Sequence, residues 1–586
     1  MWHVLKPTKQ RFTKHKVFGF DIETSNNNKD FYCGSIVGDN FSKFFYDKQE
    51  LINEFKKDRF RNSIISATNL GFDFFGTFHE TPEVMKFNTL FRGSDLLLAK
   101  TYIKNKDFHS KNVNGANRLL FLDTLNYAKM SVAKLGKILN IPKVDHPKSL
   151  GRLPVNKEEI DELKVYNLRD SEISQRFMKF LIESFEKLGA TFKPTIASTS
   201  MSLFKNKYLK DSYFRADPHI LTEQFNAYYG GRTEVFKRGH IKNMNYYDFN
   251  SLYPSVMIDN EFPNPNTMRT NRMNTLEYIR EYDGISLVTV SFSGSLPLLP
   301  LRYDNKLVFP TGKFTAWYSH VELRKALSEG YKILKVQKTY YFKENCKPFH
   351  NYVNDLYNLR LKFKAEGSSM EQVTKLLLNS LYGKFGQKFE NKDNWVPFNL
   401  TKEELDKFDY IERHGDFLRV VKDFTVPSSF CIPIWALYVT AYARIKLYDC
   451  MKLCNPVYCD TDSVITSMDL PTSNKLGDLK LEMTIQDGIV VKPKMYALNT
   501  SVGEYVKIKG VGTQLDNARF DKLLLEPSVT YDKFMKLKES MRRGFIPNEI
   551  QSITKNLDLE DSKRVWKGVF NPKVLQNSKP LNLLQD

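Results

Sequence analysis

The chain has 586 residues, and 87 Lys and Arg against 67 Asp and Glu leave a formal charge of +20. At 41% hydrophobic and 26% charged it is too apolar for a disordered chain, and no apolar run reaches the length of a membrane span. The length calls for several domains, and the positive excess points to a polyanion, nucleic acid first.

The N-terminal residues carry no apolar signal segment, which predicts a protein used in a reducing cytoplasm. The six Cys are scattered without a CxxC pair, and Cys450 and Cys454 read as buried thiols rather than half of a zinc site. The 44 Phe and 30 Tyr are expected mostly in the core, though aromatics among cations also suit stacking on unpaired bases.

In chain order, residues 17–22 and 63–68 read as strands and residues 157–168 as a helix. This alternation predicts a mixed α/β domain ending near residue 190. Residues 245–258 and 456–466 read as strand–turn pieces, with a long helical pattern between them at 350–385. The tail from about residue 525 reads as helical and rich in Lys and Arg, densest over residues 533–543. The expected class is a multidomain α/β chain whose sheet domain is interrupted by large insertions.

Asp21 and Glu23, two residues apart on the first strand, share one face. Two acids on one face repel unless a cation lies between them, which suggests a divalent metal. Alone, such a pair is also what an exposed edge strand shows. Asp73, four residues after Asn69, and Asp170, one helical turn after Tyr166, extend the set. Four carboxylates can hold two metal ions that activate a water at a phosphodiester, with Tyr166 placed to orient that water.

Asp248 ends a strand, and Asp460 and Asp462 flank Thr461 between apolar runs, as acids at the tip of a β-hairpin do. By itself Asp-Thr-Asp is what a solvated turn shows. Between these segments Lys375, Asn379 and Tyr382 share one helix face, away from an apolar stripe of Val373, Leu376, Leu377 and Ser380. Lys is a point-charge ligand for phosphate and Tyr a flat surface for a base pair. Lys362 can add a second phosphate contact. Three acids from distant segments, with these cations, suit phosphoryl transfer with two Mg2+ ions.

In this order the segments resemble family B DNA polymerases. Asp21 to Glu23, Asn69 to Asp73 and Tyr166 to Asp170 resemble the three exonuclease motifs, and Asp248 to Pro254, Lys375 to Gly383 and Tyr458 to Ser463 the polymerase motifs A, B and C. Lys494 and Tyr496 resemble the Lys-x-Tyr motif, and Tyr228, Gly230 and Gly231 the Tyr-x-Gly-Gly linker between the two parts. Chain length, room for two insertions between motifs, and Thr124-Leu125 resemble the protein-primed subgroup of phages and linear plasmids.

The resemblance implies a ribonuclease-H-like 3'-5' exonuclease domain plus a right-hand polymerase with two insertions. Residues 1–190 would be the exonuclease domain, 191–260 and 428–522 the palm, 350–389 the fingers and 523–586 the thumb. Residues 261–349 and 390–427 would be insertions resembling terminal-protein regions 1 and 2. Asp248 and Asp462 would bind Mg2+ with Asp460 beside them, two ions per active site, and Mn2+ would be able to substitute. Tyr253 would stack under the incoming sugar and exclude a 2'-hydroxyl. Lys362 and Lys375 would hold the triphosphate, with Asn379 on the same face, and Tyr382 would face the nascent pair. Lys494 and Tyr496 would hold the primer terminus, and Tyr228, Gly230 and Gly231 would contact DNA.

Asp21, Glu23, Asp73 and Asp170 would be metal ligands of the nuclease. Asn69, Phe72, Thr124 and Leu125 would grip single-stranded DNA. The implied partners are primer–template and single-stranded DNA, dNTPs and a terminal (priming) protein. The chain is expected to be a monomer without a membrane partner, in the host cytoplasm if viral or plasmid-encoded, and to displace the non-template strand. Two departures stand out. The family's Lys-x-x-hydrophobic element is best matched from Lys143 to His146, with His in the apolar place, and Thr68 replaces a frequent His before Asn69. A DNA-primed family B polymerase, or a catalytically silent DNA-binding relative, is the alternative.

Overall fold

A computed structural model describes residues 3–584 apart from 80, 102–118, 272–273, 391–393, 398–400, 407, 409, 415–416, 422–424, 512–514, 537–538 and 541–547. Part of the basic run 533–543 thus lies outside the described residues.

The N-terminal unit is built on a seven-stranded sheet in the order Phe41–Phe45, Asp30–Gly38, Lys16–Ser25, Ser63–Ala67, Leu120–Asp123, Asp95–Thr101, Phe87–Arg92. Lys16–Ser25, Ser63–Ala67 and Leu120–Asp123 run parallel at its centre. The apolar run of Ser63–Ala67 is buried throughout, as a parallel strand covered on both faces must be. Much of the aromatic content closes one face. Phe20 and Phe74 meet Phe121 edge to face, with centroids 6.0 and 5.4 Å apart.

The long helix Lys157–Leu188 covers the sheet. The Asn156 side chain caps its start, and Gly189, at φ 100°, ends it. Gly19 permits the close approach, because a Cβ there would lie 1.7 Å from the Ser171 carbonyl oxygen. That packing carries Tyr166 and Asp170 towards the strand that bears Asp21 and Glu23.

The central sheet has nine strands. Lys237–Phe249 pairs with Ser463–Thr466 on one side and Leu479–Lys492 on the other. Tyr458–Asp460 closes a hairpin with Ser463–Thr466 and pairs outward with Thr233–Val235. Segments more than two hundred positions apart therefore become neighbours. Helix Pro433–Cys454 is apolar nearly all round and correspondingly buried along most of its length. The helical pattern at 350–385 proves to be two helices, His350–Ala365 and Met370–Ser380, parted near Gly367 at φ 64°.

Residues between these pieces form further sheets. Met268–Asn271, Lys332–Phe342, Asp283–Phe292 and Thr311–Ser319 make a layer that the C-terminal strand Asn582–Leu584 joins in parallel. Asn394–Pro397, Phe417–Val421 and Tyr410–His414 make a smaller one.

The tail corrects the expectation of a helical end. Among the described residues the helix there is Asn517–Leu525, a helical turn recurs at Glu539 and Ser540, and the strands dominate: Ser528–Phe534 pairs with Ile550–Asn556, and Arg564–Trp566 with Gln576–Pro580. Pro527 bars continuation of the helix, and Ile550–Asn556 alternates exposed and half-buried residues with period two. Lys and Arg, common on solvent-facing helices, also fill the outer face of such strands. All six Cys are free thiols, with Cys450 and Cys454 buried. Among the described residues no helix is long and apolar enough to cross a membrane.

Candidate active sites

The first site lies where the central strands meet. Asp248, one residue before the end of its strand, pairs with Ser463, which sets it against the turn of Asp460, Thr461 and Asp462. The Phe249 amide donates to the Asp462 carbonyl at 2.8 Å, and the Thr461 amide to the Arg232 carbonyl at 2.7 Å. Thr461 holds the left-handed conformation, φ 65°, and the Asp462 amide donates to the Asp460 carbonyl at 2.7 Å, which closes a tight turn between the two acids.

The three carboxyls differ. Burial, then Asp462 and Glu482, push Asp248 up to about 7. Burial and Asp460 raise Asp462. Burial also works against ionisation of Asp460, but Lys494 overcomes it and holds that carboxyl below its usual range. The Lys494 ammonium lies 2.7 Å from both Asp460 oxygens, and the Thr233 hydroxyl donates to the same carboxylate at 2.9 Å. Lys507 stands 3.8 Å away. Asp460 is thus saturated by donors, whereas Asp248 and Asp462 repel one another across a partly buried gap. That donor set fits a divalent cation.

Tyr253, in the first turn of helix Leu252–Asp259, stacks on Tyr382 with centroids 4.3 Å apart. Tyr382 sits in the 3-10 turn after Met370–Ser380, and Lys375 and Asn379 face solvent from that helix. Val373 and Leu377 of the expected stripe are buried, while Leu376 and Ser380 are half-buried. Lys362, exposed on the neighbouring helix, has only Glu366 nearby at 4.0 Å among the described residues. Tyr496 is fully buried, its ring 5.5 Å from that of Tyr458.

The linker motif presses on the same turn. A Cβ at Gly231 would lie 2.8 Å from the Thr461 side chain, and Tyr228 fills the space beside Gly386. Arg444 donates to the Tyr229 and Gly230 carbonyls at 2.7 and 2.9 Å and pairs with buried Glu322 at 2.7 Å.

The second site is in the N-terminal unit. Asp21 and Glu23 lie half-buried on one face of their strand while Phe20 and Ile22 enter the core. Asp73, on helix Leu70–Phe78, accepts from the Ile22 amide at 3.1 Å. Asn167 donates to Asp21 at 2.7 Å, and Lys143 pairs with Asp170. Burial, then Asp73, Glu23 and Asp170, hold Asp21 well above the usual carboxylate range. Burial and Asp170 push Glu23 up to about 7.

Asp73 Oδ2 and Asp170 Oδ1 are buried without a hydrogen-bond donor. Converging acids with orphaned oxygens fit divalent cations. Among the described residues, no three His, Cys, Asp or Glu side chains form a ready-made metal cage.

Asn69 begins its helix in the left-handed conformation, φ 70°. Asp123 holds it there, accepting from the Asn69, Leu70 and Leu125 amides at 3.1, 3.0 and 2.8 Å. The Thr124 hydroxyl donates to Thr68 at 2.9 Å, so the residue in the place of a frequent His serves to tie two loops together. A cavity of about 780 Å³ opens here, lined by Asn69, Leu125, Lys143 and His146 and, from the tail, by Phe534 and Lys536. Phe534 lies 5.6 Å from Phe72, centroid to centroid, and Lys536 pairs with Asp95.

Sequence reasoning missed several of these residues. Asp123 is a capping Asp directly before Thr124, and Arg444 a charge inside an apolar helix; both are readable signals. Thr233 and Lys507 carry none: strand pairing brings Thr233 to Asp460, and Lys507 reaches it from the strand at the other end of the sheet order.

A central sheet thus carries paired acids at a hairpin, and a separate sheet of the same chain carries a second acid cluster. The family model for DNA polymerase type B, organellar and viral, matches residues 23–464, and the chain belongs to that family. It is 29% identical over 494 residues to a probable DNA polymerase of Podospora anserina, covering 72% of this chain and 39% of that protein. It is 27% identical over 334 residues to the DNA-directed DNA polymerase of enterobacteria phage PRD1, covering 55% of this chain and 57% of that one. The chain thus spans about two fifths of the fungal relative's length. In fold it matches the phi29 DNA polymerase complexed with primer-template DNA, with a TM-score of 0.70 and 18% identity over 93% of this chain and 100% of that one. The expected fold class, a mixed α/β exonuclease and polymerase architecture, holds.

Proposed function

We propose that the protein is a template-directed DNA polymerase with a 3'-5' proofreading exonuclease, acting on primer–template and single-stranded DNA with dNTPs. The observation that carries this reading is the pairing of Asp248 with the Asp460–Asp462 turn, with Lys494 bound to Asp460. On this reading the nuclease, palm, fingers, thumb and two insertions have the bounds expected from the sequence.

At the synthetic site Asp248 and Asp462 would hold Mg2+, and at the nuclease site Asp21, Glu23, Asp73 and Asp170, with Mn2+ able to substitute. Such ions, when bound, lower the pKa of the attacking hydroxyl and neutralise the leaving oxygens. The chain's own groups position charge. Lys362 and Lys375 neutralise the triphosphate, Tyr253 packs under the sugar where a 2'-hydroxyl would collide, and Tyr382 covers the pair. Lys494, anchored by Asp460, grips the primer terminus, whose 3'-hydroxyl attacks the α-phosphate in line. In the nuclease, Asn69, Phe72, Thr124 and Leu125 hold the frayed strand, and Tyr166 orients the water.

The test is primer extension and primer degradation with Mg2+, with and without dNTPs. Extension with nucleotides and degradation without them are expected; a chain that does neither overturns the reading.

The layered sheets within residues 261–349 and 390–427 support a finer reading, in which the protein, as a monomer, starts from a terminal protein and displaces the non-template strand. Labelled-nucleotide transfer to a hydroxyl of a cognate terminal protein, without any DNA primer, tests it. Extension of DNA primers alone would favour the DNA-primed alternative. Six unpaired thiols suit a reducing compartment such as the host cytoplasm.

A further inference from the structure

His146 stands where the family's Lys-x-x-hydrophobic element has an apolar side chain, and the structure gives it a polar task. Its Nδ1 lies 3.1 Å from the Tyr166 hydroxyl, with ring centroids 5.6 Å apart. It also lines the cavity shared by Asn69, Leu125 and Lys143. The Lys143 ammonium sits 4.4 Å above the Tyr166 ring. Tyr166 precedes Asp170 by one turn of helix Lys157–Leu188.

We propose that His146 is a positioning residue for the nuclease reaction: it accepts the Tyr166 hydroxyl proton and leaves that oxygen purely an acceptor towards the attacking water. The inference rests on the nuclease reading of this site. A hydroxyl has one proton and two lone pairs. With its proton given to His146, Tyr166 has only lone pairs left to offer. A water attacking phosphorus must aim a lone pair at phosphorus and a proton elsewhere. Tyr166 so arranged holds the water by that proton. With an apolar residue at position 146 the hydroxyl proton is free to bind the water's lone pair, which turns the nucleophile away. The required tautomer carries its proton on Nε2, which points away from Tyr166.

The experiment is degradation of a single-stranded oligonucleotide with Mg2+ by the full chain and its variants. His146 is exposed, so His146→Leu is compatible with folding. His146→Leu is expected to lower kcat about tenfold, the rate equivalent of one hydrogen bond, with KM changed less than about twofold. His146→Gln, whose amide oxygen can accept the same proton, should recover most of that loss. In a Tyr166→Phe background His146→Leu should have no further effect. Equal losses in the Leu and Gln variants, or additive losses in the double variant, overturn the proposal. If the wild type degrades nothing, the nuclease reading fails on its own, and the hydrogen bond is then read directly. The 15N resonance of His146 Nδ1 must move on Tyr166→Phe, and an unmoved resonance overturns the assignment.

Discussion

The Lys494 ammonium binds both carboxylate oxygens of Asp460 at 2.7 Å, so one of the two acids in the hairpin turn is already neutralised by the protein. That divides labour among three acids that look alike in sequence. Lys494→Ala would return Asp460 to the repulsion between Asp248 and Asp462 and remove the grip on the primer. Primer extension should fall about ten- to a hundredfold, as loss of a charge-assisted contact implies, and Lys494→Arg should recover part of it. Steady-state extension on a fixed primer–template measures this, and an unaffected Lys494→Ala would refute the division.

Asp248 carries the pH dependence. Its pKa is raised from 3.8 to about 7 by burial and by Asp462. A carboxyl raised on folding binds its proton more tightly folded than unfolded, so it costs stability as pH rises from 3.8 to about 7, and the cost stays constant above that. Without metal, Asp248→Asn should therefore melt a few degrees higher than wild type at pH 8, with the gain gone at pH 4. Calorimetry in chelator at both pH values checks it. For the same reason, Mn2+ binding to this site, followed by electron paramagnetic resonance, should weaken as pH falls below about 7.

The two acid sites are built on separate sheets, so their losses should separate. Asp462→Ala is expected to abolish extension and leave degradation intact, and Asp21→Ala to do the reverse, each by more than about a hundredfold in the affected reaction. Parallel assays on one labelled primer decide it, and a variant that lost both activities equally would argue for a single shared site.

Gly231 is needed because the linker passes so close to the hairpin turn. Gly231→Ala would force a Cβ to 2.8 Å from the Thr461 side chain and displace the turn that holds Asp460 and Asp462. Extension should drop about tenfold or more, since small misplacements of catalytic groups are costly, while degradation persists. Comparison of both activities in the purified variant tests this.

Tyr253 and Tyr382 stack at 4.3 Å. If Tyr253 is the floor beneath the sugar, Tyr253→Val opens room for a 2'-hydroxyl. Single-nucleotide insertion should then show ribonucleotide discrimination falling by about tenfold or more, a steric preference of a few kcal/mol being lost. Unchanged discrimination would count against the placement.

Much of the candidate chemistry is legible in the sequence because it is local there. Asp21 and Glu23 share a face by strand period alone, Tyr166 and Asp170 by helix period, and Asp460 and Asp462 by a turn between apolar runs. The tail is not legible from its charge, because Lys and Arg serve exposed helices and exposed strands alike. Pro527 and the period-two pattern of Ile550–Asn556 are the contrary signals.

Which acids and cations occur in which local pattern is determined by the sequence alone, since the periods of 2 and 3.6 residues are properties of the backbone. Only the tertiary structure decides which of them meet. Asp248 and Asp462 repel while Asp460 binds Lys494, Thr233 reaches Asp460 through strand pairing and Lys507 from the other end of the sheet order, and His146 reaches Tyr166 through loop packing. Such meetings depend on contacts between distant segments, and those are set by the burial of the whole sheet rather than by any window of residues. The charge of +20 likewise promises affinity for a polyanion, but the clustered acids that suit metal-assisted chemistry come together only on folding.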